Sequence, residues 1–411
     1  MENNLRKNVI WNTIGSLSVA ITSLFYTLIL TRLCSLSQVG LYTIAFALAC
    51  NTVTIASYGG RTYQVTDTKD EISPISYILS RYITIIFTIL ILIIYIFSRD
   101  YSIYKTLCII MVCLFKYLEE LCDVYYGILQ KNDQLYKVGI FQTIKSILNI
   151  LLFAALAYIF KNILIVFCIL LLLNLIFFIF VERKSAKKSK PWKFEIIKSD
   201  YKKYFIANFF VCALTFLTTY IINLPKYSID KLLSDDLQAI FGIIVMPATV
   251  MLLVGNFILN PLLVMIAEKY NSNKIKDIVN IIIKIFAIML IIGILGMIVC
   301  YIIGIPFLNI IYGIDLNKYK LSLLIIIFGS IFYAMTAAIS SILVAMRKIV
   351  PQVLGNIVVI LIGICISDYF VKTYGVLGAS ITYTTLIIVR FIIYVIMLIF
   401  IILKSIKRRN K

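Results

Sequence analysis

The stretch that decides the fold is TRLCSLSQVGLYTIAFALACNTVTIASYGGRTYQVTDTKD, which runs from Thr31 to Asp70. Two apolar segments meet in it at a short polar turn, Arg32 to Gln38. The second segment ends at Tyr58, and a polar patch follows from Gly59 to Glu71. A backbone in hydrocarbon must satisfy its own hydrogen bonds, so each long apolar run is interpreted as a membrane-spanning helix.

The alternation of apolar and basic segments continues through all 411 residues, of which 62% are hydrophobic, with a mean hydropathy of +1.01. A helix needs roughly 20 apolar residues to cross a bilayer core of about 30 Å. We therefore predict an all-α polytopic membrane protein. Its twelve transmembrane helices are expected at residues 8–30, 39–58, 76–98, 104–128, 138–160, 162–181, 204–224, 238–266, 278–303, 319–346, 352–371 and 377–403.

The basic residues are distributed unevenly between the two sides of this predicted topology. The formal charge is +20, and 25 of the 39 Lys and Arg residues fall on the side of the N-terminus. Because basic loops stay in the cytoplasm, we predict a cytoplasmic (inner) membrane protein with both termini cytoplasmic. The basic loops are expected to contact the headgroups of the lipid bilayer. Nucleic acid is not an expected partner, since that would require a basic face on a soluble domain.

The number and spacing of the cysteines and the absence of histidine give no indication of a metal site or a disulfide framework. The nine cysteines are odd in number and show no repeated spacing, and histidine is absent. Cysteines inside apolar runs behave as small hydrophobic residues. The sequence therefore predicts no metal, no cofactor and no catalytic residue, and we interpret the protein as not an enzyme.

The longest polar segment divides the chain into two halves. It is the predicted cytoplasmic linker 182–203, which contains nine basic residues. The N-terminal lobe, 1–181, and the C-terminal lobe, 204–411, then contain six predicted helices each. An even number of helices per half predicts parallel repeats about an axis normal to the membrane.

The fourth predicted span contains the densest set of charges, Lys116, Glu119, Glu120 and Asp123. Spacings of three, four and seven residues place them along one face of a helix. Each charge inside a membrane costs roughly 2.5–3.5 kcal/mol on insertion scales. That face is therefore expected to point into the bundle or into a water-filled cavity and not at lipid.

Three basic residues lie near the same end of the membrane, namely Arg61, Arg81 and Lys145. One interpretation is a vestibule, a cavity open to the cytoplasm that accepts a charged, hydrophilic headgroup. The alternative is a set of buried ion pairs that fix helix packing, for instance Lys145 with Asp123 or with Glu120. The residue types alone leave both interpretations open.

The second half has two lone charges inside predicted spans, Lys284 and Arg390. Lys284 is close to the cytoplasmic end of its span, so its side chain can reach the interface. Arg390 lies near the middle of its span, in IIVRFII, from which its side chain cannot easily reach the membrane interface. Arg390 is therefore the stronger cavity candidate, with a structural ion pair or a hydrogen bond to a backbone carbonyl as the alternative.

Several local motifs, together with the helix count along the whole chain, are similar to those of a known family. The motifs are Arg32-Leu33, Gly40-Leu41-Tyr42, Tyr58-Gly59-Gly60-Arg61, Tyr63-Gln64-Val65-Thr66-Asp67, Gly127, Gln130-Lys131, Leu135, Gly139, Asn260-Pro261-Leu262 and Glu268-Lys269-Tyr270. In these features the chain resembles the polysaccharide repeat-unit flippases, of the O-antigen and capsule type, which belong to the multidrug/oligosaccharidyl-lipid/polysaccharide exporter superfamily.

The resemblance implies a MATE-like fold, with two six-helix lobes around a central cavity. It also implies translocation of an undecaprenyl-diphosphate-linked oligosaccharide across the cytoplasmic membrane for surface polysaccharide, with polysaccharide polymerase machinery as a partner. A multidrug or cation exporter of the same superfamily ranks second. A peptidoglycan-precursor flippase, which usually has two extra helices, ranks third. A membrane glycosyltransferase or polymerase is less favoured, since such proteins usually have a long external loop.

Overall fold

The computed structural model describes residues 2–192, 197–272 and 275–409, which are almost entirely helical. The N-terminal part forms eight helices, namely α1 (Glu2–Leu33), α2 (Leu36–Ser57), α3 (Gly60–Thr66), α4 (Pro74–Phe97), α5 (Ile103–Lys131), α6 (Leu135–Phe160), α7 (Ile163–Phe177) and α8 (Arg183–Ser189). A π-helical turn, Phe178–Glu182, joins α7 to α8. The predicted sixth span, 162–181, therefore continues as a helix beyond its expected end.

The C-terminal part forms six further helices, namely α9 (Lys198–Leu232), α10 (Asp235–Asn271), α11 (Ile275–Val299), α12 (Ile305–Tyr312), α13 (Lys320–Ala345) and α14 (Ile349–Arg409). α14 breaks at Gly375, which has φ 58° and ψ −131°. The predicted seventh span, 204–224, stops before Pro225, whereas α9 continues through this proline. Membrane helices tolerate proline where neighbouring groups satisfy the freed backbone carbonyl.

Nine helical stretches among the described residues are long and apolar enough to cross a membrane. α5 falls outside this set because the charges between Lys116 and Asp123 interrupt its apolar sequence. α14 contributes one of the nine stretches, Ile349–Leu403, although its backbone breaks at Gly375. The predicted all-α, multi-pass membrane architecture is confirmed, while the number of twelve spans stays a prediction.

The chain divides into two compact units, Met1–Phe216 and Leu217–Lys411, with the boundary inside α9. In the first unit α1 packs closely along α6. A Cβ atom added at Gly139 would lie 2.1 Å from the backbone oxygen of Trp11, so the two helices approach at glycine. Small residues permit such close packing of membrane helices. The predicted lobes, 1–181 and 204–411, and the linker 182–203 stay a prediction.

Helix α4 buries its polar side chains and exposes its apolar ones, which is the reverse of the usual arrangement in a soluble protein. Ser76, Ser80, Thr84 and Thr88 follow one another at intervals of four and are all buried. The opposite face exposes large apolar side chains such as Ile86, which is 58% exposed. In lipid the polar groups must find partners inside the protein, so a polar stripe faces inward and the apolar face remains outside.

The turn between α3 and α4 is organised by Asp67. Its Oδ1 accepts a hydrogen bond from the N–H of Glu71, and its Oδ2 accepts from the N–H of Ile72 and from the hydroxyl of Tyr77. Partial burial raises the pKa of Asp67, but these hydrogen bonds and the nearby charge of Lys131 outweigh it and lower the pKa. The carboxylate form therefore stabilises this turn.

Candidate functional site

A polar cavity of about 170 Å³ lies inside the first unit and is lined by residues of α1, α2, α5 and α6. We call it the first-unit cavity. Its charged lining residues are Lys116, Glu119, Glu120 and Asp123 of α5 and Lys145 of α6. The structure thus brings together five of the nine residues expected from the sequence to line a substrate path, and all four charges of the α5 face are among them.

Arg81 of α4 lies behind this wall and pairs with Glu120. Its Nη1 donates to Oε2 of Glu120 at 3.0 Å and to the backbone carbonyl of Ala56 at 3.1 Å. The arginine side chain is only 2% exposed. Ala56 lies in the last turn of α2, where the backbone carbonyls lack partners within the helix. Arg81 therefore neutralises a cavity-lining acid and also satisfies the end of α2.

The end of α2 is set by the sequence Tyr58-Gly59-Gly60, where all three residues have positive φ. Gly59 and Gly60 adopt this conformation without strain because they lack Cβ. A Cβ atom added at Gly60 would lie 2.7 Å from Nη2 of Arg81. The glycines therefore break the helix and leave room for the guanidinium group beside it.

Arg61, the second residue of α3, reaches α5 from this break. Its Nε donates to Oε1 of Gln130 at 2.7 Å, and its Nη1 lies 3.4 Å from Oδ1 of Asp123. Gln64, one turn further along α3, donates to the backbone carbonyl of Val124 at 3.1 Å. The Arg61 side chain, at 21% exposed, forms a looser pair with its acid than Arg81 does.

Lys116 and Glu119 pair within α5, one turn apart on the cavity wall. The Nζ of Lys116 lies 2.7 Å from Oε2 of Glu119. Their side chains are 21% and 34% exposed, so both charges can be solvated from the cavity. The same ammonium group lies 5.4 Å from the centre of the Phe46 ring, a cation–π contact.

Lys145 pairs with Glu182, which corrects the pairing expected from the sequence, in which Lys145 meets Asp123 or Glu120. Its Nζ lies 3.1 Å from Oε1 of Glu182 and 3.6 Å from Sγ of Cys122. The hydroxyl of Tyr126, another lining residue, donates to the same carboxylate oxygen. Glu182 comes after the predicted end of the sixth span, but the continuing helix carries it into the core.

Glu182 is the charged residue of this site that sequence reasoning missed, and the neutral lining residues such as Tyr26 and Gln142 were also not among the expected site residues. Its side chain is 0% exposed, and its Oε2 has no hydrogen-bond partner among the described residues. It closes the π-helical turn Phe178–Glu182, and such turns are frequent at functional sites. The available signal was an acid placed directly after an apolar run and directly before the basic run that starts at Arg183.

The charges on and behind the cavity wall balance. Four cations pair one to one with four carboxylates, namely Arg61 with Asp123, Arg81 with Glu120, Lys116 with Glu119 and Lys145 with Glu182. The structure thus contains buried and half-buried ion pairs, as one of the two interpretations expected, and each pair has a member that lines the cavity. The vestibule open to the cytoplasm stays a prediction. Within the described part of the chain, no group of three or more Cys, Asp or Glu side chains is arranged to hold a metal ion.

Arg390 lies in the second unit and is 3% exposed. Its Nε donates to Oδ1 of Asn356 at 2.9 Å, and its Nη2 donates to the hydroxyls of Thr218 at 2.9 Å and Tyr394 at 3.3 Å. The guanidinium carbon also lies 4.9 Å from the centre of the Tyr394 ring. No ion pair among the described residues includes Arg390, so its charge is held by neutral groups.

Lys284 of α11 is placed differently from Arg390. Its side chain is exposed, and so are the apolar side chains of Ile283, Ile288 and Ile291 on the same helix. Neighbours of this kind are typical of a lipid-facing surface, where a lysine extends its ammonium group towards the interface. The structure therefore does not bring Lys284 together with the other expected site residues.

Comparison with known proteins agrees with this architecture, although no family model matches the chain. The capsular polysaccharide biosynthesis protein CapF of Staphylococcus aureus is 24% identical over 384 residues, which cover 92% of this chain and 95% of that protein. A solved structure of the lipid II flippase MurJ in an inward closed conformation superposes with a TM-score of 0.73 at 15% identity. This superposition covers 96% of this chain and 90% of the MurJ chain.

An inward-facing multidrug resistance MATE transporter of the MOP superfamily gives a TM-score of 0.60 at 15% identity, with 96% of each chain covered. The protein is therefore a multi-pass, all-α membrane protein with the fold shared by MATE transporters and MurJ. The resemblance predicted from the sequence is confirmed, because the chain is similar to a capsular polysaccharide biosynthesis protein along nearly its whole length and shares its fold with MATE transporters and MurJ. The two solved structures are named as a transporter and a flippase.

Proposed function

We propose that this protein is a flippase for lipid-linked oligosaccharide repeat units, which it moves across the cytoplasmic membrane for surface polysaccharide synthesis. The name of the Staphylococcus aureus relative supports the polysaccharide pathway. The name of MurJ supports a lipid-linked cargo, because lipid II is itself a saccharide on a lipid carrier. In this proposal the chain binds its cargo without changing it covalently and is not an enzyme.

The observation that carries the proposal is the first-unit cavity with its four ion pairs. Eight charged side chains inside an apolar unit are expensive to insert and indicate a hydrophilic occupant or pathway. A saccharide headgroup loses many hydrogen bonds to water when it enters a membrane. Polar side chains around the cavity replace those hydrogen bonds, while the lipid tail remains in the bilayer.

A cation exporter is the second candidate, and one observation favours it. The charges that directly line the cavity are three acids, Glu119, Glu120 and Asp123, and two bases, Lys116 and Lys145. Each of these acids, however, has a basic partner within 3.4 Å. A carboxylate that is already neutralised attracts a cationic drug weakly, so we rank export of cations below transport of a saccharide.

We assign different roles to the arginines in this function. The guanidinium group of Arg81 is engaged by Glu120 and the Ala56 carbonyl, which suits a structural role. Arg390 has only neutral partners among the described residues, so its positive charge is uncompensated there. Phosphate groups pair well with a planar, permanently charged guanidinium. We therefore propose Arg390 as the group that meets the diphosphate of the cargo.

The test is translocation of a polyprenyl-diphosphate-linked oligosaccharide by the purified protein in proteoliposomes, followed by accessibility of the sugar to an impermeant reagent. Wild-type protein should transport the cargo, Arg390→Lys should retain part of the activity, and Arg390→Gln should lose it while its melting temperature in detergent stays near wild type. Lys284→Gln is the matched control and should transport normally. No transport by the folded wild-type protein would overturn the proposal.

We also propose that both termini are cytoplasmic, as the distribution of Lys and Arg indicates. Single cysteines introduced in a cysteine-free variant, one at Lys190 and one at Lys161, would test this with an impermeant thiol reagent on intact cells. We expect labelling at position 161 and none at position 190. Labelling at position 190 from outside would contradict the topology.

A further inference from the structure

The first-unit cavity is lined by neutral polar groups as well as by ion pairs. They come from one face of α1, with Thr22, Ser23 and Tyr26, and from one face of α6, with Gln142, Ser146 and Asn149. Tyr26 lies three residues after Ser23 and four after Thr22, and the spacings in α6 are four and three residues, so each set lies on one side of its helix. Thr22 and Ser23 donate to backbone carbonyls of α1, and Asn149 pairs with Asn174, so these three groups offer a ligand mainly their remaining acceptor positions. Hydroxyl and amide groups such as those of Tyr26, Gln142 and Ser146 can both donate and accept hydrogen bonds.

Tyr26 supplies the observation that points to a ligand. Its side chain lines the cavity, is only 3% exposed, and has a hydroxyl with no hydrogen-bond partner among the described residues. Its ring is fixed by stacking on Phe153, with the ring centres 4.2 Å apart. A buried hydroxyl without a partner is destabilising, so a ligand hydroxyl that bonded to it would gain binding energy.

The volume of the cavity limits what can enter. Pockets that enclose a whole drug-sized ligand usually measure about 300–1,000 Å³. The first-unit cavity measures about 170 Å³, which is below that range. This space suits one ring of a saccharide, with the rest of an oligosaccharide outside the cavity.

The charges of the cavity favour a neutral ligand. Each acidic and basic lining residue is already paired with an opposite charge within 3.4 Å. A charged ligand would have to break one of these pairs, whereas a hydroxyl-rich ring can bond to Tyr26 and to the amide and hydroxyl groups without doing so. The aromatic rings of Phe46 and Tyr126 add apolar surface for the carbon–hydrogen face of such a ring.

We propose that the first-unit cavity binds a single neutral pyranose ring of the cargo and that the hydroxyl of Tyr26 is one of its hydrogen-bonding groups. This inference rests on the proposed function, because it assigns the cavity to one sugar of a lipid-linked oligosaccharide. It separates the recognition of sugar, in the first unit, from the contact with phosphate that we assign to Arg390. Sugar specificity would then depend on α1 and α6.

Binding of free sugars to the detergent-purified full chain tests the inference without relying on transport. Saturation-transfer NMR would be recorded with the methyl pyranosides of glucose, galactose, mannose, rhamnose, N-acetylglucosamine and N-acetylgalactosamine. At least one sugar should bind to wild type. Tyr26→Phe should weaken that binding about fivefold, the loss expected from one hydrogen bond of roughly 1 kcal/mol.

Tyr42→Phe is the matched control, since Tyr42 is also buried, its hydroxyl has no hydrogen-bond partner in the described part of the chain, and it does not line the cavity. It should bind the sugar as wild type does. Gln142→Met, which removes a lining amide, serves as a second variant if Tyr26→Phe lowers the melting temperature, and it should also weaken binding.

Binding of none of the six sugars would overturn the inference, and so would equal weakening of binding by Tyr26→Phe and Tyr42→Phe. Displacement of the bound sugar by tetraphenylphosphonium at low concentration would also contradict it, since it would indicate a cation site. Failure of the two proposals is distinguishable. Transport without sugar binding leaves the flippase function intact, whereas sugar binding without transport leaves the sugar site intact.

Discussion

Replacement of Lys145 by methionine should destabilise the protein strongly, because it leaves the carboxylate of Glu182 buried without a cation. Glu182 is 0% exposed and Lys145 is 12% exposed, with 3.1 Å between Nζ and Oε1. At an effective dielectric constant of about 20, that distance corresponds to an attraction of about 5 kcal/mol. Loss of one partner of a buried ion pair typically costs about 3–5 kcal/mol, and we expect this cost for Lys145→Met.

The comparison with Lys116 and Glu119 makes the prediction specific. Their contact is shorter, at 2.7 Å, so distance alone would make it the stronger pair. Their side chains are 21% and 34% exposed, however, and solvated pairs contribute only about 0–1 kcal/mol. Burial therefore reverses the order, and Lys116→Met should change stability much less than Lys145→Met.

The assay is thermal unfolding of the purified variants in detergent. For a unit of this size, 1 kcal/mol corresponds to about 2–4 °C, so Lys145→Met should lower the melting temperature by roughly 10 °C. The double variant Lys145→Met with Glu182→Gln removes both charges and should return to within a few degrees of wild type. Equal shifts for Lys145→Met and Lys116→Met, or no recovery in the double variant, would refute the reasoning.

Three further predictions concern the same unit. Gly60→Ala should lower the melting temperature, because Gly60 has φ 29° and a Cβ atom there would lie 2.7 Å from Nη2 of Arg81; an unchanged melting temperature would contradict this. Asp67 has a lowered pKa in the folded state, so its contribution to stability is complete above the usual value of 3.8 and is lost as the pH falls below it. Asp67→Asn should therefore destabilise the protein at pH 7 and remove part of the acid sensitivity, whereas parallel pH profiles of the two proteins would exclude this role. Glu120→Ala combined with Asp123→Ala should reduce surface polysaccharide in cells, and wild-type polymer at normal expression would show that these acids are dispensable.

The sequence predicted features that depend on local pattern. Runs of apolar residues indicated the helices, and the spacing of Lys116, Glu119, Glu120 and Asp123 placed them on one face of a helix. That face does line a cavity. Both results follow from helical periodicity within about 20 residues, which the chain carries directly.

Helical periodicity could not predict which oppositely charged residues these side chains pair with. Glu182 is 37 positions from Lys145, and it enters the core only because α7 continues through a π-helical turn into α8. One of the two acceptors of Arg81, the Ala56 carbonyl, is available because α2 ends at Ser57. Both pairings depend on where helices end and how they pack, and these are the least certain features of a sequence-based assignment.

Arg390 and Lys284 show a second limit. Both are lone charges in apolar helices, and the sequence distinguished them only by their depth in the span. A helix that is apolar on all sides gives no signal for which face points inward. The structure buries Arg390 among Asn356, Thr218 and Tyr394 and exposes Lys284 among apolar side chains. The neutral groups around Arg390 were not among the expected partners, which were an acid or a backbone carbonyl.

The most direct test of the flippase function is a comparison of two cargoes in the same proteoliposomes. Purified protein would be supplied with a polyprenyl-diphosphate-linked oligosaccharide and, separately, with tetraphenylphosphonium, and transport of each would be measured against protein-free vesicles. We predict that the protein accelerates translocation of the lipid-linked oligosaccharide and leaves the movement of the cation unchanged. Accelerated movement of the cation without any translocation of the oligosaccharide would contradict the proposed function and favour a cation exporter.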